Sequence, residues 1–319
     1  MYNVRGGKII NFPDLSIGDL KPELPIIQGG MAVKISMADL AAAVAEEGGI
    51  GVIAATGLSV DELRSEIEKA RSKTEGIIGV NIMFAASEFS DLLQEAISAG
   101  IDLVISGAGF SRDMFSVGRK ADVPIVPIVS SARLAKLSEK LGAAAVVAEG
   151  ENAGGHLGGE DNSSKILKEI KNKISIPVIS AGNIVTPAEV KDAFDRGADG
   201  VQMGTRFLAS RESDTAEYFM KLCKQADSDD IVKIMSSVGL PARAIKTEMV
   251  EKIMKNEAPP PENCVNCLKK CSKKFCVRKA LLAGRAGNKK EGLFFTGPGL
   301  EKIDRILSVR QIFSELKKF

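Results

Sequence analysis

Tryptophan is absent from the 319 residues, tyrosine occurs twice and histidine once. So few flat rings leave base-stacking platforms for single-stranded nucleic acid poorly supplied. Net charge is nearly missing too. The 43 basic and 41 acidic residues leave +2, which creates no field to attract nucleic acid or an anionic membrane. The first thirty residues hold no unbroken apolar run of signal-peptide length, and no later segment keeps close to ~20 apolar residues free of charge. These absences predict a cytoplasmic protein with a small-molecule substrate and without nucleic-acid or membrane partners.

What is present is a 45% hydrophobic composition in a chain longer than the roughly 250 residues typical of one α/β barrel. Eight short runs read as strands: PIIQ (25–28), IGVIAA (50–55), IIGVNIM (77–83), LVISG (103–107), PIVPIV (124–129), AAVVAE (144–149), PVISAG (177–182) and GVQMG (200–204). Most are too apolar to alternate, as expected of strands covered on both faces. Between them lie stretches of helical period that begin near Ser, Thr or Asp and end at Gly, such as 36–48, 90–100 and 186–197. Eight strand and helix units predict a (β/α)8 barrel rather than an open doubly wound sheet. The expected partition is a lead over 1–22, the barrel over 23–210 and a small, mostly helical appendage over 211–319. Within the appendage, 214–256 reads as helices, and the last segment, from LEKIDRILS onward, as one amphipathic helix.

Barrel chemistry belongs at the carboxyl ends of the strands. The loop after the sixth run, EGENAGGHLGGEDN (149–162), carries the only histidine, His156. A lone histidine is more often structural. Flanked by Gly-Gly on both sides at a strand end, however, it is a poor packing residue and a good candidate for proton transfer near neutral pH. AGN (181–183) and MGTRF (203–207) occupy the two loops that build the usual barrel phosphate site, with Gly182, Gly204 and Thr205 as expected contacts.

QGGM, VNIM, SGAG, EGENAGGHLGG, SAGN and QMGTRF, in this order over residues 23–210, resemble the nitronate monooxygenase family. Flavin-dependent enoyl-acyl carrier protein reductases of the second type share that superfamily. The resemblance implies an FMN with its ring near Gly29, Gly30, Met31 and Asn81 and its phosphate near Gly155, Gly182, Gly204 and Thr205. Glu149, Gly154, Ala181, Asn183 and Met203 complete the implied cofactor set, and His156 is the implied catalytic residue. It further implies one of two reactions: oxidation of alkyl nitronates with dioxygen, the leading expectation, or NAD(P)H-dependent reduction of an enoyl thioester.

Four cysteines, Cys264, Cys267, Cys271 and Cys276, crowd into thirteen positions. Their spacing suits one zinc ion or one iron–sulfur cluster, with unliganded thiols the open alternative. The C-x2-C-x3-C part resembles the iron–sulfur motif of dienoyl-CoA reductases, although the fourth cysteine comes sooner here. The adjacent lysines read as solvated surface, with thioester phosphate as the sharper alternative. GLFFTGPG (292–299) is a candidate lid, and a homodimer is the default assembly for a soluble oligomer.

Overall fold

The computed structural model describes residues 12–318, in which the apolar runs become a ring of parallel strands. The strands are β1 (Ile26–Gln28), β2 (Gly51–Ala54), β3 (Ile78–Met83), β4 (Leu103–Gly107), β5 (Ile125–Val129), β6 (Val146–Glu149), β8 (Val178–Ala181) and β9 (Gly200–Met203). They pair in the order β1-β9-β8-β6-β5-β4-β3-β2, and a parallel bridge between Ile27 and Ile50 closes the ring. Inside it, Leu15, Ile17, Ile27, Ile50, Val52, Leu103, Ile105, Val126, Val147 and Ile179 form a dry core. The barrel is therefore plugged below, and its cavity lies at the carboxyl-end rim.

The surrounding helices are α1 (Ala38–Glu46), α2 (Val60–Arg71), α3 (Phe89–Ser98), α4 (Arg112–Ala121), α5 (Ala132–Leu141), α6 (Ser163–Lys171), α7 (Pro187–Asp195) and a single turn, α8 (Thr205–Leu208). Gly48, Gly100 and Gly197 follow helix ends with positive φ, as the stop signals predict. The start signals are less exact. Thr186 does cap α7, but α1 is preceded by Met37 while the Ser36 hydroxyl accepts from the Met31 N–H, bracing the loop after β1.

Because α8 is one turn long, the eighth position of the helical ring is filled from far downstream. Helix α12 (Val309–Leu316) packs between α1 and α7, burying Val309, Ile312, Phe313 and Leu316 in the same core as Ile26, Val44, Val190 and Phe207. The expected single C-terminal helix is thus two pieces, a 3-10 turn at Pro298–Lys302 and α12.

The region 214–256 departs from its helical reading. Between α9 (Glu217–Gln225) and α10 (Glu248–Met254) lie antiparallel strands β10 (Ile231–Met235) and β11 (Pro241–Ile245), which extend to β7 (Gly155–His156) in a separate three-stranded sheet. The strands are five residues long and β10 is half exposed, too short for a period to declare itself. The turn residues that betray the hairpin are Ser236 and Gly239, the latter at φ +85°. Helix α11 (Val277–Arg285) completes this outer lobe.

Candidate active site

A cavity of about 630 Å3 opens at the carboxyl ends of the strands. Gly29, Gly30, Met31, Asn81, Glu149, Gly154, Gly155, His156, Ala181, Gly182, Asn183, Gly204 and Thr205 all line it. Met203 does not. Side chains alternate along β9, so Met203 points outward into the helix-facing core while its neighbour Gln202 faces the cavity. Gln202 is accordingly the residue that sequence reading missed, and the period of two was the signal for it.

The histidine loop is welded to its neighbours by one buried serine. Ser163 Oγ donates to the Ala181 carbonyl (2.6 Å), accepts from the Gly150 N–H (3.1 Å) and contacts Asn152 Oδ1 (2.5 Å). Glu151 bonds Lys233 (2.6 Å) and Arg243 (2.9 Å), tying the loop to the β10–β11 hairpin; these two cations, Lys233 foremost, hold the Glu151 carboxyl below its usual range.

His156 is held at backbone and ring. Its strand pairs with β11, Ala242 opposite His156. Its Nε2 lies 2.8 Å from the Ser236 hydroxyl, and its ring meets Phe295 edge-on at 5.2 Å. The Val238 N–H donates to Ser236 Oγ (3.4 Å). A hydroxyl donating to Nε2 then satisfies all three groups and leaves the ring hydrogen on Nδ1. Burial pushes the His156 pKa down to about 4, so the imidazole is neutral at physiological pH. Ser236 lies eighty positions from His156 in the chain and carries no motif. The candidate lid also finds its place here, with Phe294 buried in the core, Phe295 and Thr296 lining the cavity and the Gly297 N–H donating to Thr205 Oγ1 (3.0 Å).

Burial also pushes Glu149 up to about 8. An acid whose folded pKa stands above its ordinary 4.5 favours the fold while both states are protonated, and loses that advantage as pH rises from 4.5 to about 8. The unliganded protein should therefore lose stability between pH 6.5 and 8, by up to ~1.4 kcal/mol per unit. Glu149→Gln should flatten the slope. Urea unfolding at four pH values checks this, and an equal slope in the variant would assign the effect elsewhere.

The cavity suits a flavin mononucleotide. The buried polar atoms Asn183 Oδ1, Gln202 Oε1 and Thr296 Oγ1 all face it without a protein partner, as a polar ligand would require. A Cβ at Gly30 would overlap the Asn81 side chain, while Gly204 has open space where a Cβ would stand, so backbone is presented to whatever enters.

The structure does not draw the four cysteines together on one point. Among the described residues no three His, Cys, Asp or Glu side chains converge on a point that could hold a metal. Cys264 Sγ donates to Asn266 Oδ1, Cys271 Sγ accepts from the Lys273 N–H and Cys276 Sγ caps α11 by accepting from the Lys279 N–H. Cys223 is buried in the core, its thiol pushed up to about 12. Among the described residues no helix is long and apolar enough to cross a membrane.

Barrel, rim cavity and half-buried histidine together define a (β/α)8 barrel with one candidate active site at the carboxyl ends of its strands. The family model of nitronate monooxygenase matches residues 16–318, and the chain belongs to that family. It is 34% identical to FabK of Thermotoga maritima, with a TM-score of 0.84 over 92% of both chains. A probable nitronate monooxygenase of Staphylococcus aureus (strain Newman) is 28% identical, covering 76% of this chain and 81% of that one. An octahydroindene-4-carboxyl-CoA dehydrogenase of Mycobacterium tuberculosis is 30% identical, but the match spans 72% of this chain and only 65% of that protein.

Proposed function

We propose that the protein is an FMN-dependent oxidoreductase that reduces an enoyl thioester with electrons from NAD(P)H. The observation that carries this reading over nitronate oxidation is the half-buried His156 imidazole, which accepts from Ser236 at Nε2 and whose pKa its surroundings push down to about 4. Among the described residues the only cation lining the cavity is Arg278, which belongs to the outer lobe. A nitronate is an anion, and burying it beside a neutral ring, with no cation on the barrel side of the cavity, is costly. A thioester carbonyl is neutral, and a neutral Nδ1–H can donate to it and stabilise charge as it develops. The Mycobacterium relative named for a carboxyl-CoA substrate supports thioester chemistry, whereas the Staphylococcus relative supports the rival reading.

When bound, FMN would supply hydride transfer. Its phosphate would be held by Gly182, Gly204 and Thr205, and Asn81, Asn183, Gln202 and Thr296 would bond its polar edge. Glu149, protonated at neutral pH, would offer a hydrogen bond without adding a negative charge. His156 polarises the carbonyl, Ser236 holds its ring, and Phe295 keeps water from that side.

Anaerobic stopped-flow of the FMN-loaded protein tests this. Rapid bleaching by NADH or NADPH, reversed by a crotonyl thioester, is the expected result. Bleaching by a nitronate alone would replace it with the monooxygenase reading.

A further inference from the structure

Outside the cavity, the cysteine-bearing segment encloses a second depression of about 420 Å3. Cys267, Leu268, Val277 and Arg278 line both spaces, so the depression adjoins the outer end of the flavin cavity across these four residues. Its remaining wall is apolar at Pro261, Val265 and Phe275 and basic at Lys269, Lys270 and Lys273, and no carboxylate lines it. Val265 is 65% exposed, an apolar side chain facing the entrance rather than the core.

The cations divide by how they are used. Lys269 is already engaged, its Nζ donating to the Phe84 carbonyl (2.7 Å) and lying 3.8 Å over that ring. Lys270 and Lys273 are exposed on the rim. At the junction, Arg278 donates from Nη2 to the Gly57 carbonyl (3.1 Å), but its Nε is buried without a partner. Glu62, the acid that feels Arg278, is already bonded to Lys34 (2.5 Å).

A depression lined by apolar side chains, thiols and cations, set against a cavity with a hydrogen-bond donor inside, matches one ligand shape: an aliphatic arm with a reactive acyl group at one end and an anion at the other. We infer that the cysteine lobe is the entrance for a phosphopantetheine thioester, with Lys270, Lys273 and Arg278 receiving its phosphate. The inference rests on the thioester reading above. The four cysteines then line this entrance. Two backbone hydrogen bonds pin the lobe in place. The Ser87 N–H donates to the Cys267 carbonyl, and the Ser272 N–H donates to the carbonyl of Ser237, next to the residue that seats His156.

The test compares two substrates differing by one phosphate, crotonyl-4′-phosphopantetheine and crotonyl-pantetheine, on the FMN-loaded protein. The charge-reversing double variant Lys270→Glu, Lys273→Glu should lower the ratio of their kcat/KM values by about tenfold, mostly through KM, as expected for lost charge-assisted contacts. Added salt should lower the same ratio in the wild type. Arg278→Ala should lower it as well. Crotonyl-CoA and a crotonyl carrier protein, run alongside, identify the source of the phosphate by which loses more. An unchanged ratio in all variants would overturn the subsite while leaving thioester reduction intact. Failure of the wild type to reduce either small thioester would overturn both.

Discussion

Replacing His156 with alanine should lower turnover by about 10²- to 10⁴-fold while flavin binding persists, the range expected when a positioned proton-handling group is removed. On the proposed reading the loss should fall on kcat, the ring then serving the reacting carbonyl rather than the phosphate end of the cavity. Removing the ring also strips the Ser236 hydroxyl of its partner and the edge of Phe295 of its neighbour. The unfolding midpoint and flavin spectrum of the variant therefore need to be recorded beside its rate. With a folded-state pKa near 4, His156 should add no inflection to the pH–rate profile above pH 6. Full turnover in a flavin-loaded His156→Ala protein would remove the residue from the chemistry.

The largest loss of stability should come from far outside the cavity. Phe313 on α12 is fully buried, its ring 5.9 Å from Phe207 on the single-turn helix and against the tight Gly49 bend before β2. Phe313→Ala should cost about 3–5 kcal/mol, the usual range for emptying a buried aromatic site. Lys317→Ala, just past the end of the same helix and exposed, should cost little. Urea unfolding of the three proteins compares them directly. A Phe313→Ala protein as stable as its parent would mean that α12 is a dispensable addition and not a member of the ring.

The barrel was legible because its strands are buried on both faces. Runs such as IIGVNIM and LVISG are continuous, bounded by glycine and spaced by amphipathic segments, and each became a strand within a residue or two. The cavity residues were legible for a related reason: a strand's last residue and the loop after it occupy one rim, so position alone selects them. Met203 shows the limit, since choosing the strand end without tracking alternation selects the residue facing the wrong way. The hairpin β10–β11 escaped because strands of only five residues, one of them half-exposed, do not distinguish themselves from helix turns. With it went Ser236, whose contact with His156 is purely tertiary. The cysteine spacing was suggestive, but spacing counts residues along a chain, and here two of the sulfurs, Cys271 and Cys276, accept from backbone N–H groups close by in sequence.

The substitution of α12 for a full eighth helix bears on how the barrel is assembled. After β9 is made, the groove between α1 and α7 still lacks its cover, and everything from α9 to the 3-10 turn must be synthesised before Phe313 arrives. The nascent barrel carries an apolar seam throughout that interval, closed by contacts between residues distant in sequence, which form slowly. A ribosome pausing within the cysteine segment would therefore prolong the lifetime of a sticky, incompletely ringed intermediate, and chaperone demand should concentrate there.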